Sequence, residues 1–315
     1  MSKKIILYTN KALLKNVFKA TKVLISCLIL FLILCAYLTY SNISYKKALV
    51  NRNNFLTQSG AEDNITEHIN NNNNNEVPKN QTMTSFDKAD LVNDNRGVPV
   101  LYYHSVRESA DNEVIITPEN LKAELQYIKD EGYTTLTMNE LNDYLLHNSP
   151  IPKKSIVITF DDGYMDNYYN AFPVLKALNM KATIFCITSN LDGSYYLSKE
   201  AITEMLNYGI DIESHTVNHL KLNELTYDEQ LRELQESKKT LEAITGRGVY
   251  AIAYPFGHFN DDTIKAAKAA GYKLGFTTNR GLSDRDEDPF KLDRIYISSN
   301  YNITTFKEIL NGTKK

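Results

Sequence analysis

Asp161 and Asp162 stand side by side ahead of Gly163, directly after the apolar run 155–160 (SIVITF). Two adjacent carboxylates at the end of a buried strand are costly unless a metal or a cation neutralises them. Neighbouring side chains on a strand point to opposite sides, so the pair divides naturally into one metal ligand and one general base. Asp-Asp-Gly is also good turn chemistry, and a polar turn accounts for the tripeptide on its own. His215 and His219 follow a second short strand, in the stretch ESHTVNH. Their i, i+4 spacing places both imidazoles on one face if the piece is helical, and imidazole is the commonest metal ligand. Either histidine alone reads as structural or solvated. One carboxylate with two imidazoles leaves positions open for water and substrate, the arrangement of a catalytic zinc-type site. A metalloprotease HExxH helix is excluded, because Thr, Val and Asn separate the two histidines.

His104 ends the run VPVLYYH, where it serves either as a proton-transfer group or as a solvated loop residue. Tyr254-Pro255-Phe256-Gly257 follows another short strand. Its Pro and Gly fix a sharp turn that can aim a backbone N–H at a substrate, or that merely leaves the strand. Cys186, inside the apolar run 182–187, reads as a buried structural thiol.

These residues need a scaffold. Helical spacing of apolar residues predicts helices over 118–131, 139–146, 166–178, 198–207, 226–244, 261–270 and 304–310. Thr117-Pro118 and the Thr226/Glu229 capping box mark two of the starts. Short apolar runs predict strands at 98–103, 155–160, 182–187, 210–213, 250–253, 273–277 and 294–297. Strands alternating with helices give an α/β fold with parallel strands and crossover helices. A closed or nearly closed (β/α) barrel and an open doubly wound sheet both fit, and both place chemistry at the carboxyl ends of strands.

The rest of the chain bounds where this chemistry happens. The net charge of −3 conceals a basic tail: residues 1–22 carry six Lys and no acid, which leaves −9 on the remainder. An acidic body argues against a nucleic-acid partner, and no Gly-rich phosphate loop follows any strand. Residues 23–40 are 18 uncharged, mostly apolar residues, long enough for a transmembrane anchor with the Lys-rich tail in the cytoplasm. A cleaved signal peptide is the competing reading, but the run is long for one and ends in Leu-Thr-Tyr, not a small-residue cleavage site. Residues 41–96, with six consecutive Asn at 70–75, lack apolar periodicity and read as a disordered tether. The catalytic domain is expected over 97–315, extracytoplasmic and monomeric. Cys27 and Cys35 lie in the apolar span, so Cys186 has no partner for an intrachain disulfide outside it.

The motifs Thr159-Phe160-Asp161-Asp162-Gly163 and Ser214-His215-Thr216-x-x-His219, in this order, resemble the polysaccharide deacetylases of carbohydrate esterase family 4. The opening VPVLYYH and the later Ala253-Tyr254-Pro255-Phe256-Gly257 look most like the branch containing poly-β-1,6-N-acetylglucosamine deacetylases, which carries the catalytic His near the start of the domain. The resemblance covers 98 to about 300. It implies a distorted (β/α) barrel, Asp162, His215 and His219 as metal ligands, Asp161 as general base, His104 as general acid and the Phe256 N–H as oxyanion donor. It implies a divalent metal, zinc first, with cobalt, nickel or iron also suited to Asp plus two His. The implied reaction removes N-acetyl groups from a cell-envelope glycan, either peptidoglycan or poly-N-acetylglucosamine. O-acetyl ester hydrolysis and an inactive glycan-binding module are the alternatives. Three departures stand out. Ala253 occupies the position of a family Arg that pairs with the base; the family's Trp motif is absent; and Leu292-Asp293-Arg294 stands where a late Leu-x-His is usual. Without Trp, sugar stacking falls to Tyr164, Tyr196 and Tyr254.

Overall fold

The computed structural model describes residues 91–313. Its strands in chain order are β1 (Leu91–Val92), β2 (Val100–Tyr103), β3 (Ser105–Val106), β4 (Ile115–Ile116), β5 (Thr134–Thr135), β6 (Ile151–Pro152), β7 (Ser155–Phe160), β8 (Thr183–Cys186), β9 (Asp211–Ser214), β10 (Ala251–Ala253), β11 (Leu274–Arg280) and β12 (Leu292–Tyr296). The α-helices are α1 (Pro118–Asp130), α2 (Met138–His147), α3 (Phe172–Leu178), α4 (Lys199–Tyr208), α5 (Tyr227–Thr245), α6 (Asp261–Ala269) and α7 (Ile303–Gly312).

Seven of these strands run parallel in the order β2-β12-β11-β10-β9-β8-β7, and β7 pairs back onto β2 from Val100↔Val157 to Tyr103↔Phe160. That last pairing closes a barrel and excludes the open sheet. β5 adds a short rung beside the start of β7, through Thr134↔Ser155. Strand alternation sorts the side chains. Val100, Val157, Phe185, Ala251, Ala253, Leu274, Phe276 and Leu292 form one buried cluster, within the barrel. Leu101, Ile156, Ile158, Ile184, Ile252 and Ile295 belong to the other, where the sheet meets the helices.

The helices begin where their caps stand. Thr117 accepts from the Asn120 N–H ahead of Pro118, and Thr226 with Glu229 forms a capping box at α5. The helix expected over 166–178 divides into a π turn at Asn167–Ala171 followed by α3. Pro173 lacks an N–H, so regular α hydrogen bonding cannot run through it.

The folded part starts at Leu91, ahead of the boundary expected at 97. β1 pairs antiparallel with β6, and Arg285 holds Asn93 and Asn95. Polar composition hid this segment, because its partners are distant in sequence. Among the described residues no helix is long and apolar enough to cross a membrane. The anchor expected at 23–40 and most of the tether lie outside the described residues.

Candidate active site

The interior face of the barrel carries its small and apolar residues low and its polar ones at the carboxyl ends of the strands. On β7 the alternation Val157, Thr159 continues to Asp161. On β12 Leu292 is followed by Arg294, and His215 comes directly off β9. Arg294 is 1% exposed and grips Asp161 with both arms of its fork, Nη1 to Oδ1 at 2.8 Å and Nη2 to Oδ2 at 2.9 Å. Its Nε donates to the Thr277 carbonyl at 3.0 Å, and its guanidinium lies 4.2 Å from the Tyr102 ring centre. Burial alone would raise the Asp161 pKa, but Arg294, with His215 and His104 nearby, outweighs it and holds the carboxyl below its ordinary range. The ion pair therefore favours the carboxylate form of Asp161, and each oxygen keeps a lone pair for a further proton.

Asp162 departs from the strand through left-handed backbone, φ 74°, followed by Gly163 at φ 75°. A Cβ at Gly163 would meet the Cys186 backbone at 3.2 Å, so only glycine allows this close approach. The turn brings Asp162 Oδ1 to 3.4 Å from both His215 Nε2 and His219 Nε2, which lie 3.2 Å from each other. The two histidines do not share a helix face, as the spacing had suggested. The segment between them is a non-helical turn with Thr216 at φ 67° and His219 at φ 57°. Glu233 of α5 holds that turn, accepting from the Val217 and Asn218 N–H groups at 3.0 and 2.8 Å and from the Asn218 side chain at 2.6 Å. Asp162, Thr216, His219 and Phe256 are four of the six non-glycine residues with positive φ among the described residues. Each costs about 1–3 kcal/mol, and such strain persists where the fold enforces a working geometry.

The donor set fits a metal. Three ligand atoms about 2.0–2.1 Å from a tetrahedral centre lie about 3.3–3.4 Å apart, close to the triangle seen here. Asp162 Oδ1 is buried and makes no hydrogen bond among the described residues. His215 Nδ1 bonds the Ala253 carbonyl at 2.7 Å, which makes it the donor and leaves Nε2 as the ligand atom facing the centre. Burial, then the neighbouring His215, pushes His219 down to about 4, whereas at His215 burial is outweighed by the carboxylates of Asp162 and Asp161, which raise its pKa. An ion held between the two imidazoles would require both to be neutral. Asp162, His215 and His219 form a group able to hold an ion.

His104 sits at the rim. Its Nδ1 is buried and unpartnered among the described residues, and burial lowers its pKa despite Asp161 and Asp162. Phe256 is 57% exposed with φ 58°, its ring centre 4.5 Å from that of His219. Tyr164 stacks on Tyr196 at 5.2 Å, and Tyr195 stands edge-on to both, an aromatic platform beside Asp162. Burial, then the Asp162 carboxylate, raises the Tyr164 hydroxyl above its ordinary range.

Tyr254 is not part of this surface. It is fully buried, its hydroxyl donates to the Phe290 carbonyl at 3.0 Å, and its ring stacks on Phe259. Strand parity explains the correction: Ala251 and Ala253 face the barrel interior, so Ile252 and Tyr254 face the helices. Sequence reasoning also missed Arg294 and Tyr195. Arg294 had a signal, an inward position on the last strand two residues after Leu292.

The sequence profile of the polysaccharide deacetylase family matches residues 148–275. A Bacillus subtilis protein described as a polysaccharide deacetylase is 38% identical over 217 residues, 69% of this chain and 77% of that one. The chain belongs to the polysaccharide deacetylase family. A Staphylococcus epidermidis poly-β-1,6-N-acetyl-D-glucosamine N-deacetylase is 32% identical, over 61% of this chain and 71% of its own length. The Streptococcus pyogenes deacetylase PplD, solved in complex with acetate, is 34% identical and superposes with a TM-score of 0.66, over 70% of this chain and 100% of that one. As a member of this family, the chain is a deacetylase of the class that hydrolyses carbon–nitrogen bonds, and its barrel is the expected fold.

Proposed function

We propose that this deacetylase removes N-acetyl groups from an N-acetylglucosamine-containing cell-envelope glycan, with a divalent metal held by Asp162, His215 and His219. The observation that carries the reading is the meeting, at one barrel mouth, of that triad with a carboxylate kept ionised by Arg294. When bound, the ion supplies Lewis-acid activation of water and of the acyl oxygen. Zinc suits the donor set, with cobalt, nickel and iron as further candidates.

The chain's own groups do the rest. Asp161 takes a proton on a free carboxylate lone pair from the water that attacks the acetamide carbonyl. The Phe256 N–H donates to the oxygen on which negative charge develops. His104 in its protonated form delivers a proton to the departing sugar nitrogen as the C–N bond breaks, and Asp161 then gives up the water's proton to solvent. Acetate and a free amine result. The aromatic platform of Tyr164, Tyr195 and Tyr196 offers sugar rings an apolar face next to the triad. The name of the S. epidermidis relative supports the β-1,6-linked polymer as substrate, and that of the S. pyogenes structure, solved with acetate, supports acetyl hydrolysis.

The location belongs to the same proposal. Residues 23–40 anchor the chain in the cell membrane, and residues 41–90 give the domain reach on the extracytoplasmic side. The run of uncharged residues and the six Lys before it support this.

The test is acetate release by the full chain from β-1,6-linked N-acetylglucosamine oligomers, purified peptidoglycan and acetylxylan side by side. Release from either N-acetylated glycan supports the reading and selects the substrate. Release from acetylxylan alone makes the protein an O-acetyl esterase. No release from any of the three, with metal bound, makes it a glycan-binding module.

A further inference from the structure

Three side chains outside the reaction described above clasp the backbone on which His104 is mounted. Asp166 accepts from the Ser105 hydroxyl at 2.5 Å and from the Val106 N–H at 3.0 Å. Asn167 donates from its side-chain amide to the His104 carbonyl at 2.7 Å and to Asp166 Oδ1 at 3.1 Å. Asn170 donates to the Val106 carbonyl at 2.7 Å. Asn167 is completely buried, and it opens the π turn Asn167–Ala171, for which Asp166 is the cap residue. Residues three apart on a helical turn face the same way, so Asn167 and Asn170 reach the same loop together. π segments are rare and recur at functional sites.

The His104 ring has no comparable support of its own. Its Nδ1 makes no hydrogen bond among the described residues, whereas His215 is fixed through Nδ1 to a carbonyl. The ring touches Tyr102 and Tyr296 only edge-on, at 5.9 and 6.3 Å between centres. An imidazole without an orienting bond takes its position from its backbone. Here the backbone is tied at His104 and Val106, and the Ser105 hydroxyl adds a side-chain tie, to the segment that follows Asp161 and Asp162.

We infer that Asp166, Asn167 and Asn170 are positioning residues that fix the proton donor His104 against the segment following Asp161 and Asp162. The inference rests on His104 as the general acid. Removing the Asn167 amide leaves the His104 carbonyl unpartnered and frees the loop. A shift of about 1 Å at a reacting group costs on the order of 10²-fold in rate.

The experiment compares Asn167→Ala, Asn170→Ala and His104→Ala in the full-length, zinc-loaded chain on two acetyl donors. An N-acetylglucosamine pentamer needs protonation of its leaving amine, and 4-nitrophenyl acetate does not. Asn167→Ala is expected to lose roughly 10–100-fold in kcat on the pentamer, with KM and zinc stoichiometry unchanged, and less than about 3-fold on the aryl ester. Asn170→Ala follows with a smaller loss of the same selectivity. Equal losses on both donors, or a loss confined to KM, overturn the inference. His104→Ala separates the two levels: if it lacks this selectivity, the acid assignment falls, and if it alone shows it, only the positioning role falls. A crystal structure of Asn167→Ala gives a readout that needs no turnover. It should show His104 displaced or spread over several positions while Asp162, His215 and His219 stay in place. An unmoved His104 refutes the clasp.

Discussion

Arg294 decides what Asp161 can do. A carboxylate this deep would otherwise stay protonated and be useless as a base, and the guanidinium fork keeps it ionised while leaving one lone pair on each oxygen. Replacing Asp161 by Asn should lower turnover by about 10²–10⁴-fold while bound metal, measured by atomic absorption, stays near one per chain. Replacing Arg294 by Met leaves a buried charge unpaired, a loss of about 3–5 kcal/mol in denaturant unfolding. Because the folded pKa of Asp161 is depressed, the pair's contribution is present above the unfolded value of about 3.9 and is lost as pH falls through the folded one. In Arg294→Met the Asp161 pKa rises, so the acid limb of kcat/KM moves to higher pH. An unmoved limb would remove Asp161 as the titrating base. Asp161, Asp162, His215, His219 and His104 were legible because polar residues at strand ends are costly without a use. Arg294 was not, because the cation comes from β12, while the position usual for it holds Ala253 on β10.

At the scale of elements, the long helix α5 reaches into the site through one residue. Glu233 gathers three donors from the turn between the two histidines, a turn that holds two left-handed residues and is further tied by Ser214 and Thr216. Replacing Glu233 by Ala should weaken zinc affinity about 10–100-fold in competitive chelator titrations, with the Asp161–Arg294 pair intact. An unchanged affinity would make Glu233 a plain helix-to-loop tie. Helix α1 offers a pH test of packing. Burial pushes Glu124 up to about 8, although the Tyr103 hydroxyl donates to it at 2.9 Å. A raised acid binds its proton more tightly when folded, so its contribution is complete below the unfolded value of about 4.3 and is lost as pH rises towards 8. Glu124→Gln should therefore gain stability over the parent as pH rises from 5 to 9. A pH-independent difference would contradict the shift. The caps of α1 and α5 were readable from Thr-Pro and Thr-x-x-Glu, since they are local. The left-handed turn that brings His215 and His219 together and the burial of Tyr254 against the helices were not, since backbone conformation and strand parity override spacing and residue type.

Across the whole molecule, alternation of strands and helices could not separate a barrel from an open sheet. The difference is the single pairing of β2 with β7, whose partners are more than fifty residues apart. Closure is what brings the first, second and last polar strand ends, His104, Asp161 and Arg294, to the same mouth as the histidines from β9. The account's central claim is that Asp162, His215 and His219 hold a divalent ion required for deacetylation. The most direct measurement is acetate release from an N-acetylglucosamine oligomer by the full chain before chelation, after chelation, and after stoichiometric zinc or cobalt is returned, in parallel with His215→Ala. The prediction is release that chelator abolishes and either metal restores, with His215→Ala binding less metal and staying inactive. Release that persists through chelation, or a fully active His215→Ala, would contradict it.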